Sequence, residues 1–418
     1  MESLDRNRHE SEMAAALERM SHGDPQLMAS WVRTHLLEQV MPFWEPLFDE
    51  QHGGLFTCVT DAGEIVSEEK WLWSQWRAVW VCARIFNTID SDPKWRDRAL
   101  RIAEFCCRHG WLRSESGWAL LLDREGAVKR GYESIYVDAF AVYGLSELAR
   151  ATGDSSWIQR AEDTASAAME RIEQTGDQLP HFPYGIRPGT KPHGVPMIWS
   201  LKLATLGSAS GNSQWFDRVR EMLVEIDEDF LIPSEDRIGE TAWRDPRQDH
   251  PPLVSATVPG HVIEGLWFRR VVEAGGVGEV TSPAEIWRRV LRHLELGWDR
   301  AAGGGLLLAV DASGEVAAEG WPLPDLKLWW PHTEALVAVL MAWQETGETQ
   351  WLEWYQRLWA FAAEHFVDWT HGEWRQKLDR DLSPFSGTVA LPVKDPFHLP
   401  RSLIMQIEML ETGQIPRP

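Results

Sequence analysis

The sequence predicts an all-α protein, an (α/α)6 barrel with short β-hairpins at one end. Apolar residues recur at spacings of three and four in roughly twelve segments, which is the period of amphipathic helices. Short Gly-rich segments with strand character lie between some of the helical segments. The unit of helix, hairpin and helix repeats imperfectly, so roughly six helix pairs would close into one barrel.

The helical segments follow one another closely along the chain. Pro93, Pro283 and Pro331 lie where helices begin, and Gly153 and Gly347 follow helical runs. The segments with helical periodicity are 26–41, 71–89, 94–109, 133–152, 155–173, 193–209, 212–228, 260–274, 283–297, 329–346, 349–366 and 398–412.

Four Gly-rich segments are interpreted as hairpins, because most combine an apolar strand with a tight turn of Asp and Gly. No linker rich in Pro and Ser divides the chain, so residues 25–418 are predicted to form one catalytic domain. Residues 1–24 are polar and are predicted to form an irregular N-terminal arm. The predicted hairpins occupy 53–63, 117–126, 304–314 and 372–379.

The composition limits the possible partners and compartments. The 418 residues include 41 basic and 63 acidic side chains, and the net charge of −22 argues against nucleic acid or anionic membranes as partners. No apolar run is long enough to span a bilayer. The four cysteines match neither a disulfide framework nor a zinc motif, and no secretory signal is present. Reduced thiols in a cytoplasmic protein are therefore predicted.

Histidines at helix starts are the main candidates for chemistry. His261 and Glu264 are spaced i, i+3, as are His398 and Arg401, so each pair shares a helix face. The positive end of a helix favours a neutral imidazole, which can act as a base near pH 7. Each pair could equally be structural, with a capping histidine or a surface arginine.

Two further helix starts carry polar groups beside aromatic rings. His332 and Glu334 are two residues apart and diverge on a regular helix, so each could contact a different part of one ligand. Trp73 and Arg77 are spaced i, i+4, which places a stacking ring and a fixed cation on one face. A buried arginine must be paired, solvated or in a cavity.

The sequence contains no recognisable metal-binding or nucleotide-binding motif. The segment 185–191 only superficially resembles a phosphate loop, because Thr precedes Lys and Pro188 interrupts it. There is no H-E-x-x-H motif and the histidines are dispersed, so no metal site is predicted. No cofactor is expected, and a nucleotide effector lacks the support of a motif.

Several motifs together resemble the N-acylglucosamine 2-epimerase family, also called renin-binding protein, over about residues 30–412. The resemblance implies an (α/α)6 barrel, reversible epimerisation at C2 of an aldose, and catalytic roles for His261 and His398. The matching motifs are QWR at 75–77, PM at 196–197, PGH at 259–261 with Glu264, KLWWPHTEAL at 327–336 and FHLPR at 397–401.

The resemblance also assigns site positions. Arg77 and Glu264 join the two histidines in the predicted catalytic set. Met197 stands where relatives that act on cellobiose or mannose have a histidine, which favours the acylglucosamine branch. The sequence departs from the family at 394–398, which is K-D-P-F-H instead of K-G-C-F-H, and at 381–382, where D-L replaces D-G. The predicted substrate-binding set is Glu334, Arg401, His332, Trp73, Trp330, Trp374 and Met197.

The leading hypothesis is an isomerase that interconverts N-acylglucosamine and N-acylmannosamine, or a related aldose pair. One histidine removes the C2 proton, Arg77 or another donor stabilises the enediolate, and the other histidine returns a proton to the opposite face. The alternatives are an aldose–ketose isomerase, a glycoside hydrolase and a non-catalytic sugar-binding protein. The expected partner is a small neutral sugar, and a homodimer is possible.

Overall fold

A computed structural model describes residues 2–245, 253 and 255–418, and nearly all the regular structure in them is helical. Four π-helical turns (His35–Val40, Ile85–Ile89, Ile226–Phe230 and Glu273–Val277) extend α2, α4, α9 and α10. The helices are α1 (Glu2–Ser21), α2 (Gln26–Thr34), α3 (Met41–Trp44), α4 (Leu72–Arg84), α5 (Pro93–His109), α6 (Ile135–Thr152), α7 (Ser155–Thr175), α8 (Gly194–Ser210), α9 (Gln214–Glu225), α10 (Pro259–Val272), α11 (Pro283–Gly297), α12 (Trp329–Thr346), α13 (Thr349–His365) and α14 (His398–Thr412).

The helices form two concentric rings. In the inner ring α4, α6, α8, α10, α12 and α14 contact one another in that order, and α14 returns to α4. In the outer ring α5, α7, α9, α11 and α13 each pack on the inner helix that precedes them, and α2 packs on α14. Each segment predicted to be helical overlaps most of one of these helices, so the predicted all-α barrel is confirmed.

Burial distinguishes the two rings. All residues from 329 to 342 of α12 are buried, because an inner helix is covered by outer helices on one side and by the barrel interior on the other. The outer helix α7 instead buries one stripe, which includes Ala161, Ala165 and Ala168. The helix ends also follow the sequence signals, since Gly153 and Gly347 end α6 and α12 in the left-handed conformation.

The strands are short and precede the inner helices, so they lie at the N-terminal end of that ring. They pair as β1–β2, β4–β5, β9–β10, β8–β11 and β12–β13, and β6 lies between β3 and β7. The strands are β1 (Cys58–Val59), β2 (Ile65–Ser67), β3 (Lys70–Trp71), β4 (Trp111–Leu112), β5 (Gly117–Trp118), β6 (Leu121–Leu122), β7 (Val128–Arg130), β8 (Thr190–Pro192), β9 (Leu231–Ile232), β10 (Arg237–Ile238), β11 (Thr241–Trp243), β12 (Lys327–Leu328) and β13 (Lys377–Leu378).

Two of the predicted hairpins differ in the structure, those at 304–314 and 372–379. Segment 304–314 makes isolated bridges rather than a named hairpin, with Leu306 opposite Trp298 and Val310 opposite Val316. In segment 372–379, β13 pairs with β12, and Trp374 and Leu378 also make isolated bridges to Val367 and Pro384.

The N-terminal segment differs from its prediction. It is the helix α1 rather than an irregular arm, and it packs against α2 and α13. Met13, Ala16, Leu17 and Met20 are buried and recur at the helical spacing. Because this buried stripe is narrow, the composition of the segment is polar although one face of the helix packs against the core.

The cysteines agree with the predicted thiols. All four lie in the described residues and are unpaired. Burial raises the pKa of the Cys58 thiol to about 11, so it stays protonated near neutral pH. None of the helices described above is both long enough and apolar enough to cross a lipid bilayer.

Candidate active site

A cavity of about 580 Å³ opens at the N-terminal end of the inner ring. The positive ends of the inner helices converge there, which suits negative charge that develops on a ligand oxygen. Each inner helix contributes a residue from its first turn to the lining: Trp73, Tyr136, Met197, His261, Trp330 and His398.

His261 reaches the cavity from the first turn of α10. Its Nδ1 lies 3.0 Å from Oε2 of the buried Glu240, and its side chain is 23% exposed. Burial by itself would lower the pKa of His261, but the carboxylates of Glu240 and Glu264 outweigh burial and raise it. Glu264, one turn further along α10, also lines the cavity, as the i, i+3 spacing predicts.

His398 begins α14 and is held from behind by a carboxylate. Its Nδ1 lies 2.8 Å from Oε1 of Glu334, and the other oxygen of Glu334 accepts a 3.1 Å hydrogen bond from Nε1 of Trp267. Its backbone N–H donates to Oδ2 of Asp395 at 3.0 Å, which satisfies one of the free N–H groups at the start of α14. The ring is thus fixed at Nδ1, and Nε2 is the nitrogen left for a ligand.

Arg401 joins the two carboxylates beneath the cavity. Its Nη2 pairs with Oε1 of Glu264, lies 2.7 Å from Oε1 of Glu334 and is 3.4 Å from Nδ1 of His398. Burial would raise the pKa of Glu264, but the charges of Arg401, His398 and Lys202 lower it to about 2. Glu264, Glu334 and His398 are spaced closely enough to hold a metal ion, but Nη2 of Arg401 already contacts all three.

Trp330 lies between the two histidines. Its ring stacks on His261, with ring centroids 4.9 Å apart, and meets His398 at 5.6 Å. Gly260 permits this approach, because a β-carbon there would come within 2.6 Å of the Trp330 ring. Two imidazoles therefore flank one flat apolar surface, and they come from the helices on either side of α12.

Arg77 supplies a cation at the same end of the barrel. Its Nη1 donates to Oδ1 of Asp395 at 2.9 Å, and its guanidinium lies over Phe140, Trp73 and Phe397. Its Nε has no hydrogen-bond partner among the described residues. Arg77 is therefore paired with Asp395 and also lines the cavity.

Two residues of the predicted substrate-binding set lie elsewhere. His332 is buried on the outer side of α12, where Nδ1 donates to the Leu328 carbonyl, Nε2 accepts from the Leu306 N–H and the ring stacks on Phe361. Burial lowers the pKa of His332 to about 3. Trp374 is buried with its Nε1 donating to Nε2 of His35. Neither residue lines the cavity, so the structure does not bring them to the predicted site.

The remaining predicted residues fall into two groups. Trp73, Trp330 and Met197 line the cavity. Glu334 and Arg401 are buried behind it, so they contact His398 and Glu264 rather than the cavity space.

Several cavity residues carry no sequence signal that singled them out. Glu240 follows a short strand and meets its histidine partner across 21 positions of chain. Asp395 was visible only as a departure from the family pattern. Tyr136 is hydrogen bonded to His181, and Trp321 meets His261 edge to face.

Comparisons with known proteins point to one family. The sequence model described as N-acylglucosamine 2-epimerase (GlcNAc 2-epimerase) matches residues 54–400. An N-acylglucosamine 2-epimerase from Bos taurus is 28% identical over 395 residues, which cover 90% of this chain and 89% of that protein.

Solved structures share the fold. A cellobiose 2-epimerase from Spirochaeta thermophila DSM 6192 superposes with a TM-score of 0.78 at 20% identity, covering 93% of this chain and 97% of that one. A D-mannose isomerase gives a TM-score of 0.78 at 19% identity, covering 91% and 97%. The architecture of concentric helical rings is therefore common to these proteins.

Proposed function

Since the chain belongs to the N-acylglucosamine 2-epimerase family, we propose that it inverts the configuration at C2 of an aldose. One observation carries the proposal: His261 and His398 enter one cavity from either side of Trp330, and each has Nδ1 held by a buried carboxylate. Inversion needs a proton removed from one face and a proton returned to the other. Two imidazoles on separate helices supply both functions.

The reaction follows from this arrangement. The aldehyde at C1 of the open-chain sugar acidifies the C2 proton, which one imidazole removes through Nε2. The electron pair moves to O1 and forms an enediolate, or its 2-amido equivalent. The imidazolium of the other histidine then gives its proton to the opposite face of C2, and the double bond returns to C1–O1. Each imidazole should contribute about 10²- to 10⁴-fold as a general acid or base.

Charge on O1 is stabilised by groups that are already in place. Arg77 lines the cavity, and the inner helices direct their N-terminal ends toward it. No cofactor is needed, because the substrate's own aldehyde provides the acidity. N-acylglucosamine and N-acylmannosamine are the proposed pair, which the family match and Met197 in the cavity wall support.

The four unpaired cysteines fit a reducing compartment, and we propose a cytoplasmic location on that ground.

Exchange with solvent tests the reaction. The protein should convert one epimer to the other in D2O and leave deuterium at C2 of the product, because the two histidines exchange their protons with water. N-acetylglucosamine, N-acetylmannosamine, mannose, glucose and cellobiose are the substrates to compare by proton NMR. A 1,5-anhydro analogue, which has no aldehyde, is the control and should not exchange.

A ketose with deuterium at C1 would instead identify an aldose–ketose isomerase. Absence of both exchange and turnover with every sugar would contradict the proposal.

Replacing Arg77 by lysine should lower kcat/KM by about 10²- to 10³-fold, the usual effect of losing one oxyanion donor. Lysine keeps the charge but lacks the planar fork that contacts Asp395 and the cavity together. Arg84→Lys is the matched control, because Arg84 is on the same helix, is buried and is paired with Glu408 away from the cavity. Equal losses in the two variants would show that Arg77 acts only through the fold.

A further inference from the structure

Glu240 is a cavity residue to which neither the family motifs nor the helical periodicity gives a role. It lies between β10 and β11 and is fixed at both backbone groups. Its N–H donates to the Ala256 carbonyl at 3.0 Å, and its carbonyl accepts from the His193 N–H at 2.9 Å. The side chain is only 4% exposed. The backbone therefore holds this carboxylate at one place in the cavity wall.

The two oxygens of the carboxylate have different neighbours. Oε2 lies 3.0 Å from Nδ1 of His261. Oε1 has no hydrogen-bond partner among the described residues, and Nδ1 of His193 is 3.9 Å away. Burial lowers the pKa of His193 to about 4, so this second ring is neutral near pH 7. The charge of Glu240 consequently acts mainly on His261.

The environments of the two catalytic candidates differ in one respect. The carboxylate behind His398 belongs to Glu334, which shares its charge with the guanidinium of Arg401. No lysine or arginine among the described residues pairs with Glu240. His261 thus faces a carboxylate with no cationic side chain beside it among the described residues, whereas the carboxylate behind His398 also contacts a guanidinium.

We propose that Glu240 is a positioning residue that holds His261 with its proton on Nδ1 and its Nε2 turned to the substrate. An ionised carboxylate can only accept, so the 3.0 Å contact requires a proton on Nδ1. The same carboxylate stabilises the imidazolium after Nε2 takes the C2 proton. This role rests on the proposed epimerase function for its effect on rate, but the effect on His261 itself does not depend on turnover.

The groups that act on His261 set the direction of the expected change. They are Glu240 from the strand region, Glu264 from its own helix and His193 from the start of α8; the neighbouring rings of Trp330 and Trp321 are uncharged. Burial lowers the pKa of His261, and the two carboxylates raise it above its ordinary value. Removing the charge of Glu240 should therefore move the titration of His261 to lower pH.

The test compares Glu240→Gln with the native protein. The Cε1–H resonance of His261, identified by its loss in His261→Asn, is followed by NMR against pH. The variant should titrate at lower pH than the native protein, and kcat should fall by about 10- to 100-fold, as for other residues that orient a functional histidine. Glu240→Asp keeps the charge and should return the titration toward the native value.

Asp368→Asn is the matched control. Asp368 is a buried carboxylate 3.0 Å from Nδ1 of His371, but neither residue lines the cavity. This variant should keep native kcat and leave the His261 titration unchanged.

An unshifted His261 titration in Glu240→Gln would overturn the inference, even if activity falls, because the carboxylate would then serve only the fold. A shifted titration with native kcat would overturn it equally. A native protein that shows no C2 exchange would instead overturn the proposed function, while the titration would still report on Glu240.

Discussion

Turnover should fall by about 10²- to 10⁴-fold when either His261 or His398 is replaced by alanine, because each variant lacks one of two proton-transfer groups. The loss should appear in kcat for both epimers as substrate, since the two directions use the same pair of imidazoles in opposite order. The double variant should lose far less than the product of the two single losses, because the groups act as a unit.

The single variants also separate the two faces of the sugar. In D2O each variant retains one imidazole. That imidazole can still remove the C2 proton of the epimer whose C2–H points toward it, and can return deuterium to the same face. Exchange without inversion is therefore expected, from one epimer in His261→Ala and from the other in His398→Ala. His371→Ala, at a half-exposed histidine outside the cavity, should behave as the native protein. Native turnover in either cavity variant would rule out the two-base mechanism.

Replacing Arg401 by methionine should destabilise the protein by about 3–5 kcal/mol, as expected when one partner of a buried ion pair is removed. Arg401 is 1% exposed and compensates Glu264 and Glu334, which would otherwise be two buried carboxylates in one space. Urea unfolding followed by circular dichroism measures the difference. Arg288→Met, which removes a half-exposed surface cation, should change the stability by less than about 1 kcal/mol.

Removing the charges of the two carboxylates that pair with Arg401 distinguishes uncompensated charge from lost packing as the cause of the instability. Adding Glu264→Gln and Glu334→Gln to Arg401→Met should recover much of the stability, because neither carboxylate is then buried without its cation. If the triple variant were as unstable as the single one, lost packing would be the cause.

The lowered pKa of Glu264 gives this network a pH dependence. A carboxyl with a lower pKa in the folded state stabilises the fold above its unfolded pKa. That contribution is lost as the pH falls from the ordinary glutamate range toward about 2.

The sequence was most informative where the spacing of its residues matched the period of the α-helix. Apolar spacing located the ring helices, and i, i+3 spacing placed His261 with Glu264 on one face and His398 with Arg401 on another. The same geometry explains why His332 lies outside the cavity lining. His332 comes two residues after Trp330, roughly 200° around a helix, so when Trp330 faces the cavity His332 must face away. The spacing alone does not say whether Trp330 or His332 points into the barrel. That depends on how α12 is oriented in the inner ring.

Contacts between distant segments could not be predicted in this way. Glu240 reaches His261 from a strand end, and Asp395 reaches Arg77 across 318 positions of chain. Neither pairing produces a periodic pattern in the sequence, because each depends on how the helices are arranged around the ring. The buried face of α1 was missed for a related reason, since its narrow stripe is meaningful only once a partner surface exists.

The ion pair between Arg77 and Asp395 lies at the seam of the barrel. Arg77 belongs to the first inner helix, and Asp395 stands just before the last one. A stretch of chain that ends before residue 395 therefore lacks the counter-ion of Arg77, the catalytic candidate His398 and the cation Arg401 of the buried network. The proposed proton transfer therefore requires a chain that extends through α14 and closes the ring. Closure between the first and the last inner helix is also a long-range contact, which is among the slowest kinds of contact for a chain to form.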